Sequence, residues 1–160
     1  MDELRGAIMH EQAYAQGKML NHTGWRDILP RMITPSDCDM QFFDNNGRIL
    51  LAEFSSRNTG WFELSKGQRM GYEALVKLGA GPPVRCIACL CKHSVPKENQ
   101  INTLTDVKTF SVMIPAKCGA GVVCTFNPYP ASIWNQFVSM WFSDPDELIR
   151  RVYSDIELKN

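Results

Sequence analysis

No stretch of this chain approaches the roughly 20 apolar residues that a membrane-crossing helix needs. Neither sign of charge is in excess, because 17 Lys and Arg balance 17 Asp and Glu. The first absence excludes a helical membrane protein. The second removes any bulk electrostatic argument for nucleic acid and leaves only local basic patches. Internal repeats and low-complexity tracts are missing as well. The opening "MDELRGAIMHEQ" lacks the order of charged, apolar and small residues found in a signal peptide, and it carries no lipidation motif. A cytoplasmic location is therefore expected. The length of 160 residues suits one domain, 1–160, with a sizeable core.

Six cysteines are present: Cys38, Cys86, Cys89, Cys91, Cys118 and Cys124. Without an export signal they are expected as free thiols rather than a disulfide framework. "CIACLC" has the look of a metal or iron–sulfur motif, but its Ile and Leu make it strand-like. In a strand Cys89 and Cys91 share a face while Cys86 points the other way, so the run is read as buried core.

Along the chain, residues 2 to about 20 carry Leu4, Ile8, Tyr14 and Met19 at amphipathic helical spacing. "TPSDCDMQFFDNNGRILLAEF" has the form of a strand, a tight turn at "DNNG" and a second strand whose unbroken apolar run marks it as central. Ser65 with Gln68 forms a capping-box pattern opening a helix that Gly79 stops, with Glu73 and Lys77 as an i, i+4 pair. "VRCIACLC" predicts a buried strand, 93–107 a polar loop, and "KTFSVMI" and "GVVCTF" two further strands. "SIWNQFVSMWF" predicts an apolar helix, and a last helix opens on Asp144 as cap with Pro145 at its first position. The order predicts an α/β fold with a mixed sheet between helices. On the aromatic helix, Ile133, Phe137, Met140 and Trp141 form the core stripe. Trp134, Val138 and Phe142 extend the apolar surface around it; core packing is the first account of this width, and a homodimer or protein-partner interface is the alternative.

Asp37 and Asp39 sit at the start of one strand and Glu53 at the end of its hairpin partner. Adjacent antiparallel strands lie about 5 Å apart, so these acids are expected to converge. Like charges that close need a cation between them, and Mg²⁺ or Mn²⁺ prefers such oxygen donors. Arg57, Lys66 and Arg69 offer positive charge nearby, with Trp61 and Phe62 either as stacking rings for nucleic acid or, following a glycine, as anchors of the loop onto the core. His10 and Glu11 lie in the first helix within possible reach of this end; His22 and His93 have no partner that spacing identifies.

"PSDCDMQFFDNNGRILLAEFSS" resembles the core of the PD-(D/E)xK nuclease superfamily, with Asp39 on one strand and Glu53 on the next. "GQRMGYEAL" adds Gln68 and Tyr72 as the Q-x-x-x-Y of RecB-like branches. The resemblance implies a restriction-endonuclease-like αβββαβ core over about 1–92, with C-terminal strands and helices over about 93–160. It also implies Mg²⁺- or Mn²⁺-dependent hydrolysis of phosphodiester bonds in nucleic acid, DNA before RNA. Asp39, Glu53 and the carbonyl of Phe54 would hold the metal, and Gln68 and Tyr72 would orient water or substrate. At the family's lysine position stands Ser55, and a hydroxyl carries no charge. Three explanations stand: Lys66 or Arg57 supplies the displaced cation, Ser55 replaces a natural lysine in an inactivated chain, or catalysis is lost. The last would leave a nucleic-acid- or protein-binding accessory or inhibitor, phage-encoded and acting in the host cytoplasm.

Overall fold

Two apolar runs set the architecture. Residues 49–52 and 86–91 are too continuous to have a wet face, and they form neighbouring strands at the middle of the sheet. The computed structural model describes residues 20–21, 28, 34–36, 40–56, 60–64, 66–96 and 99–158. The strands are β1 (Leu20–Asn21), β2 (Thr34–Ser36), β3 (Gln41–Phe43), β4 (Ile49–Ser55), β5 (Cys86–Lys92), β6 (Ile101–Asn102), β7 (Thr109–Pro115), β8 (Val122–Cys124) and β9 (Tyr129–Pro130). The helices are α1 (Lys66–Leu78), α2 (Trp134–Ser143) and α3 (Pro145–Glu157).

The main sheet runs β2-β3-β4-β5-β7-β8, with β9 also against β7, and β1 pairs in parallel with β6 apart from it. All its pairs are antiparallel except β4 with β5, which α1 connects as a crossover. Helix α1 covers one face through Tyr72 and Val76, which pack with Leu51, Ala88, Leu90 and Met113. Helices α2 and α3 cover the other through Trp134, Phe137, Trp141, Leu148 and Val152, packed with Leu50, Ala52, Ile87, Cys89 and Phe110. The chain is thus a mixed α/β structure with helices on both sides of a mixed sheet.

Several expectations hold at this level. The "DNNG" turn closes the β3–β4 hairpin: Asp44 Oδ1 accepts from Asn46 N (2.9 Å) and Arg48 N (3.0 Å), and Gly47 takes a φ of +74° that a side chain would strain. Strand β5 divides its thiols as its alternation requires, with Cys86 toward α1 and Cys89 and Cys91 toward α2 and α3. Burial pushes the Cys86 thiol up to about 12 and holds Cys89 and Cys91 well above the usual thiol range, so these are neutral core groups. Asp144 caps α3 by accepting from Glu147 N (3.3 Å), with Pro145 in its first turn.

Other expectations change. The segment predicted as one strand before the hairpin is two antiparallel strands, Thr34 facing Phe43 and Ser36 facing Gln41, so 37–40 is the connection between them. Pro35, which cannot donate to a ladder, suits the sheet edge where β2 lies. The ion pair of Glu73 runs back to Arg69 (3.6 Å) rather than forward to Lys77. The loop 93–107 holds β6 and is pinned where Trp134 Nε1 donates to the carbonyl of the buried Thr103 (2.9 Å). Trp134, Val138 and Phe142 are buried within the chain, so of the two destinations weighed for the apolar surface of α2, core and partner interface, the core takes it. The first predicted helix lies outside the described residues except for Leu20, which is in β1.

Gly79 ends α1 because its backbone touches the next strand. A Cβ there would lie 2.4 Å from Cys86 Cβ and 2.6 Å from Cys86 N. The Gly79→Ala variant is therefore expected to lose about 1–3 kcal/mol of stability through overpacking, measured by urea unfolding.

Candidate active site

The site grows from the C-terminal end of β4. Residues 49, 51, 53 and 55 share the face toward α1, and the apolar part of that face ends at Leu51. Glu53, half-buried, follows where the sheet opens to solvent. Helix α1 runs over it, and the spacing of four residues puts Gln68 and Tyr72 on one side of the helix. Both donate to Glu53: Tyr72 Oη to Oε2 at 2.6 Å and Gln68 Nε2 to Oε1 at 3.2 Å. The shorter contact has the length of a hydroxyl–carboxylate bond to a charged acceptor. Tyr72 is itself buried and held edge-on by Trp61, ring centroids 5.7 Å apart. A carboxylate gripped at both oxygens by two side chains of one helix has a fixed position at this end of the sheet.

Tyr72→Phe removes the shorter of these bonds and leaves the ring packing in place. The expected cost is about 1.5 kcal/mol or more, the range for hydrogen bonds to charged groups, read from the shift in the urea midpoint.

Of the other predicted site residues, Asp39 and Arg57 lie outside the described residues, as do Asp37, His10 and Glu11. Met40, next in the chain after Asp39, is buried, takes a φ of +37°, and accepts from Ala52 N (3.0 Å) immediately before Glu53. Such a φ is uncommon without glycine and costs on the order of 1–3 kcal/mol. Phe54 turns its ring to the opposite core and leaves its carbonyl in the strand backbone beside Glu53. Lys66 is exposed at the start of α1. Arg69 is occupied by Glu73 and by the ring of Phe62, 5.7 Å from its guanidinium carbon. Trp61 corrects its expected role: at 3% exposure it supports Tyr72 and offers no open ring face, whereas Phe62 is 79% exposed.

The sequence reading missed Lys92. In the parallel β4–β5 register Glu53 faces Leu90 and Ser55 faces Lys92, and the ladder continues as His93 N donates to Ser55 O (3.1 Å). Register partners share a face, so Lys92 stands on the Glu53 side, one strand spacing of about 4.8 Å across the ladder from Ser55. Burial lowers its pKa below the usual lysine range and the nearby Glu63 partly restores it. The signal that finds Lys92 is the pairing of two distant strands.

A divalent cation fits the donor chemistry here. Among the described residues no group of three or more His, Cys, Asp or Glu converges. Mg²⁺ asks for less: one or two carboxylates, with water and substrate phosphates completing its shell. Glu53 and the Phe54 carbonyl are oxygen donors of the kind a hard ion selects. Compared with protein-family models, with curated proteins and with solved structures, the chain finds no match.

Proposed function

We propose that the chain is a metal-dependent nuclease of the PD-(D/E)xK type, with a restriction-endonuclease-like core, that hydrolyses phosphodiester bonds at the Glu53 end of the sheet. The observation carrying this reading is the grip of Gln68 and Tyr72 on Glu53. A strand-end carboxylate with a Q-x-x-x-Y helix laid over it is the arrangement the motifs imply. Glu53, Asp39 and the Phe54 carbonyl would hold Mg²⁺ or Mn²⁺. Such an ion, when bound, makes water more acidic and stabilises charge on phosphoryl oxygen. Tyr72 and Gln68 keep the carboxylate from rotating away from that role. Lys92 supplies the positive charge that Ser55 lacks, with no helix residue needed for it. Water's oxygen bonds to phosphorus as the bond to the leaving sugar oxygen breaks. That oxygen takes a proton, giving a phosphate monoester and a hydroxyl.

The second reading, a catalytically silent binding protein, is favoured by Ser55 and by the balanced charge. To separate the two, the protein is incubated with single- and double-stranded DNA and RNA in Mg²⁺ and in Mn²⁺. Cleavage of at least one substrate that EDTA stops is the expected result. Intact substrates throughout, with no heat of metal binding by calorimetry, would sink the nuclease reading and leave the silent one.

A further inference from the structure

Between β4 and α1 lies a short turn, Trp61–Glu63, that touches the candidate active site on more than one side. Trp61 is buried in the core cluster that also holds Tyr72 and Leu90, and it meets the Tyr72 ring edge-on. The Phe62 ring lies 5.7 Å from the guanidinium carbon of Arg69, the residue after Gln68 on α1. On β5, alternation puts Lys92 on the same face as Leu90, and both line one cavity of about 370 Å³ with Gly60, Trp61 and Phe62. The turn therefore stands beside the end of β5 that carries Lys92.

Glu63 closes this turn, and the turn in its own right fixes the carboxylate. Gly60 N donates to Glu63 Oε2 (2.8 Å) while Glu63 N donates to Gly60 O (3.1 Å), so side chain and backbone tie the same two residues together. A carboxylate has about four lone-pair sites, and this arrangement uses one of them. It keeps the capacity to attract a cation.

Lys92 brings a compact ammonium on a flexible four-carbon stem, which leaves many positions open to the charge. Burial works against that charge and Glu63 works for it. An anion held in place on one side of a mobile cation selects among its positions, because the attraction falls with distance.

We propose that Glu63 is a positioning residue: anchored in the Gly60–Glu63 turn, it sets the Lys92 ammonium at the end of β5 beside Ser55. The inference rests on the reading of Lys92 as the displaced cation of the nuclease site. In that reading one turn braces both halves of the site. Trp61 supports the tyrosine that grips Glu53, and Glu63 places the lysine.

Glu63→Gln separates the charge from the turn, since the new amide oxygen still accepts from Gly60 N. It is compared with Glu63→Ala, Lys92→Met and the double variant Glu63→Gln with Lys92→Met, by Mg²⁺-dependent single-turnover cleavage and by urea unfolding. Glu63→Gln is expected to keep the parent's circular dichroism and to cleave about fivefold more slowly, the upper end for an exposed ion pair. In the Lys92→Met background the same change is expected to cost no further rate. Its urea midpoint is expected to fall slightly in low salt, and to stay level when Lys92 is already Met or when about 1 M salt screens the pair. Glu63→Ala loses the turn's bond as well, so its midpoint is expected to fall further and in high salt too. A Glu63→Gln rate equal to the parent's, a rate loss that persists with Lys92→Met, or midpoint shifts that simply add would overturn the inference. Should no form cleave, the urea cycle still reads the pair: coupling upholds the placing of Lys92 by Glu63 and counts against the nuclease reading alone.

Discussion

Replacing Glu53 by glutamine is expected to lower metal-dependent phosphodiester cleavage by at least about 10³-fold while leaving the fold in place. The substitution removes a charge and almost no volume. A metal's electrostatic contribution to a phosphoryl transition state is several kcal/mol, and each 1.36 kcal/mol is tenfold in rate. The fold survives because the local bonds can be remade: the new amide oxygen accepts from Tyr72 Oη, and the Gln68 amide turns its oxygen toward the new NH₂. Single-turnover cleavage in saturating Mg²⁺, with melting temperature as control, reads both parts. An equal rate in parent and variant removes Glu53 from the chemistry. A collapse in melting temperature would instead make it a structural group.

Lys92→Met carries the second large effect. Methionine keeps the length and apolar stem of lysine and loses the ammonium. Removing one group that stabilises developing charge costs about 10²- to 10³-fold in turnover. The pH profile separates a charge role from packing. Burial lowers the Lys92 pKa and Glu63 partly raises it again, so the cation is lost as pH rises through a value below the ordinary lysine range. The parent's rate is therefore expected to fall on the alkaline side before the ordinary lysine range is reached. The methionine variant lacks that descent.

Glu53, Gln68 and Tyr72 were legible in the sequence because two local rules place them. Strand alternation sets Glu53 on the face of Leu51, and i, i+4 spacing sets Gln68 and Tyr72 together on a helix. The central position of β4 was legible from its unbroken apolar run. Lys92 was not legible. Its relation to Ser55 depends on which strand follows the α1 crossover into place beside β4, and in what register. That information lies in packing between segments 37 residues apart (92 minus 55). The reversal between β2 and β3 was missed for a similar reason, since Pro35 with the polar residues after it also suits a continuous extended strand. For Trp61 the sequence left base stacking and loop anchoring both open, because an aromatic after glycine gives no period to show its burial; its fit against Tyr72 decides for anchoring. On α2 the apolar width was read rightly, and of the two destinations weighed for it, core packing ahead of a partner interface, the core takes it. A core that takes Trp134, Trp141 and Phe142 together is set by the sheet face of β3, β4, β5 and β7, which no single helix reveals.

The central claim is that the active site's cation stands on β5 at Lys92 instead of on β4 at position 55. The most direct measurement is the Mg²⁺-dependent cleavage rate of the double variant Ser55→Lys with Lys92→Met, beside the parent and Lys92→Met alone. Both positions lie on one face of paired strands, so moving the lysine back is expected to recover at least about tenfold of the loss, part of what one such group contributes. A Lys92→Met rate equal to the parent's, or a double variant no faster than Lys92→Met in a folded protein, would contradict the claim.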